Sequence, residues 1–273
     1  MRVAGFGDHE GAGVGSSIIT SALEFRAVSE TVEQNKTNVA AFIAAYHAKD
    51  IARMTAHVAA GFVRHGADGT RTYTPMEYGS LLSAVPFFSD GKPVTRSQIE
   101  VFGEGDTVFA IFSLTAAGTD ESSVEAFRLA GGKIVEMWIP PSAAARWEWT
   151  PSTGEGDTET TRDVQRRWYQ EMYRDGRYLE LAPQLCGPIF IRHESSGTFS
   201  ATAEEHGKRL HDVTRGNPSP AGNYRAFAEG DTVGAIGRGQ LGGNFVQAWR
   251  VADGKLVESW WPGFTALGVD WGL

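Results

Sequence analysis

Much of this chain is written twice, and that constrains its fold more than any other feature. FVRHGADGTRTYTPMEYGSLL, Phe62 to Leu82, aligns without a gap on FIRHESSGTFSATAEEHGKRL, Phe190 to Leu210. EGDTVFAI from Glu104 returns as EGDTVGAI from Glu229, and VEAFRLAGGKIVEMW from Val124 returns as VQAWRVADGKLVESW from Val246. The matches keep their order, so the chain reads as a tandem duplication with small loop insertions. A repeat of roughly 125 residues is too long for a solenoid unit and has the size of one small domain. The expected organisation is a flexible leader over 1–33, a first domain over 34–149, a linker over 150–161 and a second domain over 162–273. The copies disagree at one position that matters for chemistry: the acid Glu125 of the first is the amide Gln247 of the second.

A formal charge of -8 with no cluster of Lys and Arg argues against nucleic acid or an acidic membrane as partner, and favours a small-molecule substrate. The single cysteine, Cys186 in LAPQLCGPIF, allows no internal disulfide; it reads as core, and a cytoplasmic location follows most simply. No apolar run approaches the roughly 18 residues of a membrane span. The early GFGDHEGAGVG has the glycine content of a dinucleotide loop but not its GxGxxG spacing, and only MRVA precedes it.

Val39, Phe42, Ile43 and Tyr46 fall on one stripe of a helix, and Ile51, Met54, Thr55 and Val58 on a second, with a break near Asp50. The second copy opens alike through Val164, Trp168 and Met172, breaks at Asp175-Gly176, and continues from Tyr178 to Leu185. Strands follow at Phe62–His65 and Phe190–His193. Thr74-Pro75-Met76-Glu77 and Thr202-Ala203-Glu204-Glu205 then read as capping boxes that start a third helix in each copy. They account for Glu77 and Glu205 structurally. A β-rich meander closes each copy, with turns at Gly131-Gly132 and Asp253-Gly254. Helices first and a meander afterwards is α+β architecture.

In that order, and with the pieces FVRHG and FIRHE, EGDTVFAI and EGDTVGAI, EAFRLAGGKIVEMW and QAWRVADGKLVESW, the sequence resembles the SnoaL-like branch of the NTF2-like superfamily, as two fused copies. The resemblance implies two cone-shaped α+β barrels, each a curved antiparallel sheet packed on helices around a pocket. It also implies cofactor-independent acid/base chemistry on a small hydrophobic, aromatic or polyketide-like substrate. In many relatives a carboxylate two residues before the aromatic of the F-R pair projects into the pocket. Glu125 stands there before Phe127, and Gln247 before Trp249. Single-domain relatives commonly pair through their sheets, so the fused copies would form an internal pseudo-dimer, with further homo-oligomers left open.

Strand alternation puts Glu125 and Phe127 on one face, and burial there would lift the Glu125 pKa toward neutrality, where a general acid or base works best. His65 and His193 end equivalent strands and could shuttle a proton or polarise a carbonyl; a structural role fits their recurrence equally well. Arg64 and Arg192 alternate away from them and read as surface charges. Tyr46, Tyr169, Trp138 and Trp260 are candidate pocket walls for an aromatic ring system. No HExxH, HxH or cysteine cluster suggests a metal. Three functions stay open: a lyase or isomerase of aldol, cyclisation or dehydration type; a non-catalytic binding or assembly module; and an epoxide or ester hydrolase.

Overall fold

The computed structural model describes residues 15–219, 221–239 and 242–273, with side-chain detail from Thr31 onward. All but the last residue of GFGDHEGAGVG therefore lies outside the described residues, as does the leader over its first fourteen positions.

The first copy runs α1 (Gly15–His47), α2 (Ile51–His57), β1 (Val58–Gly66), β2 (Gly69–Tyr73), α3 (Pro75–Ser83), α4 (Pro86–Ser89), β3 (Val94–Glu104), β4 (Thr107–Ala116), β5 (Thr119–Ala130) and β6 (Lys133–Trp138). The second runs α5 (Thr158–Arg167), a π-helical segment (Trp168–Tyr173), α6 (Tyr178–Leu185), β7 (Cys186–Glu194), β8 (Gly197–Thr202), α7 (Ala203–Thr214), β9 (Ala221–Glu229), β10 (Thr232–Gly239), β11 (Asn244–Ala252) and β12 (Lys255–Trp261). Thus α1 begins inside the segment expected as a leader, and α5 inside the expected linker. Among the described residues no helix is long and apolar enough to cross a membrane.

The local signals act as their chemistry requires. Thr74 accepts from the Glu77 backbone N–H while the Glu77 carboxylate accepts from the Thr74 N–H, and Thr202 with Glu205 repeats the exchange. The Asp50 side chain caps α2 through the Arg53 N–H. Lys49, just before it, takes a positive φ of 56°, which turns the chain sharply between α1 and α2. Cys186 is buried, and burial pushes its thiol up to about 12, as suits a packing residue.

The two sheets have one strand order, β2-β1-β6-β5-β4-β3 and β8-β7-β12-β11-β10-β9. They are mixed, where the sequence led us to expect antiparallel pairing throughout. The hairpin β1–β2 joins the last strand of the meander, and β1 runs parallel to β6 as β7 does to β12. They are also open sheets rather than closed barrels, since β2 and β3 remain edges. β2 and β8, which carry no strong strand pattern, are additions the sequence reading lacked.

Each sheet has an inner and an outer face, and β5 shows how the sequence sorts them. Phe127 and Leu129 join Phe42, Ile43, Met54 and Phe62 in the first cone's core. Val124 and Ala126, one residue out of phase, join Val246, Ala248 and Trp260 of the second copy in a shared cluster. The sheets therefore pack back to back. Phe109 is fully buried in that layer, where such burial contributes about 2–3 kcal/mol. Its ring lies against Gly234, where an added Cβ would approach it to 2.5 Å.

Each copy's tail also crosses to the other. Trp147 Nε1 donates to the Glu194 carbonyl, and Trp271 Nε1 to the Gly66 carbonyl, both at 3.0 Å. Arg250 spans the same layer, donating to Glu100 of the first copy and Glu258 of the second at 2.8–3.0 Å.

Candidate functional site

The two cones carry related residues in different surroundings. In the first, Glu125 sits on β5 opposite Ala110 of β4 and on the Phe127 face, so its side chain enters the cone. It is 8% exposed, and among the described residues no hydrogen bond or ion pair holds its carboxyl. Burial lifts its pKa from 4.5 to about 8; the nearby Glu121 charge adds to the lift, and Arg64 opposes it. Tyr46 on α1 donates to Glu121 at 3.1–3.2 Å. Burial and the two neighbouring carboxylates hold the Tyr46 hydroxyl protonated. Phe87 stacks on Tyr46 at 4.9 Å and Phe88 meets it edge-on at 5.6 Å, so α4 covers the cone beside this tyrosine.

Among the described residues the second copy has no counterpart of α4 between α7 and β9, and here the cone holds a cavity of about 360 Å³. Its walls include Trp168, Tyr169 and Tyr173 from the π-helical segment, Phe245 from β11, and Trp261 and Phe264 near the C-terminus. The wide π turn brings both tyrosines to the cavity wall. Tyr169 donates to Gln247 Oε1 at 3.1 Å, and burial raises its pKa well above the ordinary value. Gln247 occupies the Glu125 position and also lines this cavity. Arg192 on β7 enters the cavity too, its Nε 2.7 Å from Glu194 Oε1, and Arg209 of α7 reaches Glu194 Oε2 at 2.9 Å.

Several expected site residues fall elsewhere. His65 is in register with Trp138, and Trp138 with Ala126, which puts His65 on the outer face, opposite Glu125. It stacks on Trp138 at 5.3 Å, with Nε2 2.8 Å from Glu136 and Nδ1 2.8 Å from Thr70. His193 repeats this with Trp260, Glu258 and Thr198. The structure thus does not bring either histidine to Glu125 or to the second cavity. Trp138 and Trp260 belong to the back-to-back layer instead of a pocket wall. Phe127 and Trp249 are fully buried in the cores of their cones. Of the aromatic candidates, Tyr169 lines the cavity, while Tyr46 is covered by Phe87 and Phe88.

Arg192 corrects the reading of it as a surface charge: it is 7% exposed. The signal was present in the sequence. Phe190 is a core residue, and alternation from it sends Arg192 inward and His193 outward. The same count from Phe62 sends Arg64 inward and His65 outward.

Each copy has the same architecture, an open six-stranded mixed sheet of one strand order covered by helices. No protein-family model and no curated protein matches the chain. Among solved structures it is similar to an NTF2-like protein of unknown function from Cytophaga hutchinsonii, at 17% identity and a TM-score of 0.31, over 38% of this chain and 86% of the other. It is also similar to a protein from Kribbella flavida provisionally named a ketosteroid isomerase (13%, TM-score 0.35, 44% and 85%). A third is provisionally named a polyketide cyclase, from Pseudomonas putida (15%, TM-score 0.31, 38% and 88%). Each alignment spans less than half of this chain.

Proposed function

We propose that this protein is an acid/base enzyme of the lyase or isomerase class, acting on a small hydrophobic substrate with the Glu125 carboxyl as its proton-transfer group. The observation that carries this reading is the placement of Glu125: buried on the inner wall of a cone, near Glu121, Tyr46 and Arg64, with no hydrogen-bond partner among the described residues. Such a carboxyl is poised between acid and base near neutral pH, where a positioned group contributes about 10²–10⁴ in rate. As a base it would take a proton from carbon next to a carbonyl, leaving an enolate. Tyr46, held protonated beside it, donates to Glu121 and would serve the enolate oxygen only by turning its hydroxyl away from that carboxylate. Enolisation, aldol cleavage, ring closure and dehydration all begin from such a step. Substrate entry to the first cone would pass α4, whose two phenylalanines rest on Tyr46.

The histidines have no part in this reading, because the sheet separates them from Glu125. The test is a panel of aromatic aldols, enones and lactones turned over by the native protein and by Glu125→Gln, which writes the second copy's residue into the first. Turnover reduced a hundredfold or more supports the assignment. Unchanged turnover removes Glu125 from the chemistry.

A further inference from the structure

We propose that the second cone binds an aromatic carboxylate, its ring system held by the cavity's aromatic walls and its anionic group by the guanidinium of Arg192. This goes beyond the proton chemistry assigned to the first cone and does not rest on it. Three observations carry it.

The first is charge. Among the residues that line the cavity, the charged side chains are Arg192, Arg209 and Glu194, so the site holds one positive charge in excess. Both tyrosines are kept protonated by burial and add none. The duplication shows that this balance is particular to the second copy. Where it has Glu194, Arg209 and Gln247, the first copy has Gly66, Leu81 and Glu125 at the aligned positions. The position of Glu121, whose carboxylate binds Tyr46 in the first cone, is Gly243 in the second. The first inner wall carries Glu121 and Glu125, and the second carries two guanidiniums that share the single carboxylate Glu194.

The second is the state of Arg192. A guanidinium has five N–H donors arranged as a fork that matches a carboxylate. Glu194 is close to Nε, yet that buried N–H has no aligned acceptor. The side chain is almost wholly buried, hydrogen-bonds Tyr173 and faces the cavity, where an incoming anion would take the donors that Tyr173 leaves. The Trp261 ring faces the Arg192 guanidinium, with its centroid 6.0 Å from the guanidinium carbon.

The third is the shape of the entrance. Val213, Phe264 and Leu267 line the cavity and are 76%, 50% and 71% exposed, giving an apolar rim. Phe264 reaches its place because Gly239 and Gly243 lack a Cβ, which would come within 2.9 and 2.8 Å of it. An apolar rim outside a buried cation orients an amphiphilic ligand, with the anion inward and the rings toward the mouth.

The test is calorimetric titration of the full chain with 2-naphthoate and with its neutral counterpart, 2-naphthalenemethanol. The native protein is expected to bind naphthoate at least about tenfold more tightly, and Arg192→Gln to abolish that preference while changing the alcohol's affinity less than threefold. Equal affinity for the two ligands in the native protein, no naphthoate binding at millimolar concentration, or unchanged naphthoate binding by Arg192→Gln overturns the proposal. Should Arg192→Gln fail to fold, Leu210→Trp, which puts an indole into the cavity from α7, decides the location. Loss of naphthoate binding in that variant supports the site, and retention overturns it.

Discussion

The Tyr169 hydroxyl donates to Gln247 at 3.1 Å, whereas in the first cone Tyr46 donates to Glu121 and, among the described residues, Glu125 has no hydrogen-bond partner. An amide accepts a phenol's hydrogen bond without a desolvated charge. A buried acid in the same place must either keep its proton or meet the cost of ionising in an apolar wall. That single difference separates a binding wall from a titrating one.

Glu125 should make stability fall with rising pH. Its pKa is about 8 in the folded chain against an ordinary 4.5, so between these values the folded state holds a proton that the unfolded chain has released. The stability this proton confers is fully present below about pH 4.5 and is lost as pH rises through 8, by up to roughly 4–5 kcal/mol. Glu125→Gln is therefore expected to be more stable than the native protein at pH 8.5, with a smaller difference at pH 5. Urea denaturation at the two pH values checks this; a pH-independent difference would place the carboxyl in water.

The same titration sets the pH profile of the proposed enzyme. If Glu125 acts as the base, kcat/KM should rise with pH and level off above about 8, where the carboxyl is ionised. A profile already flat from pH 5 would contradict a base with this environment.

His65→Gln should cost stability and spare chemistry. The ring's contacts with Thr70, Glu136 and Trp138 lie on the outer face. Losing a part-buried, charge-assisted bond of this kind costs about 1.5–3 kcal/mol. Turnover is expected to stay within threefold of native at a temperature where both proteins are folded. A hundredfold loss would put His65 back in the mechanism.

Removing the Arg250 guanidinium should loosen the junction between copies. Its side chain is 11% exposed and joins Glu100 to Glu258. Arg250→Met leaves both carboxylates buried without their cation, Glu100 keeping only the Trp149 indole N–H and Glu258 only the His193 ring, a change worth about 3–5 kcal/mol. A matched denaturation series measures it, and a loss below 1 kcal/mol would show the layer to be held by its tryptophans alone.

Tyr169→Phe tests the amide wall. It removes one buried hydrogen bond and leaves Gln247 Oε1 without its donor, for an expected loss of about 1–3 kcal/mol. Because the ring remains, naphthoate binding in the second cone should survive, and the same titration as above reads it.

The sequence by itself carried the internal repeat, the succession from helices to a β-rich meander, both capping boxes and the shared face of Glu125 and Phe127. These rest on local chemistry and on the two-residue period of a strand, which need no knowledge of distant contacts. It also held the direction of Arg192 and His193, legible by counting from the core residue Phe190. Only the tertiary structure decided that the sheets pack back to back, which turns Trp138, Trp260 and both histidines from pocket candidates into an internal layer. Only it placed α4 and its phenylalanines against Tyr46 in the first copy and assembled the aromatic cavity of the second. A side chain's face is set by its neighbours in sequence, but what covers that face is set by residues far along the chain.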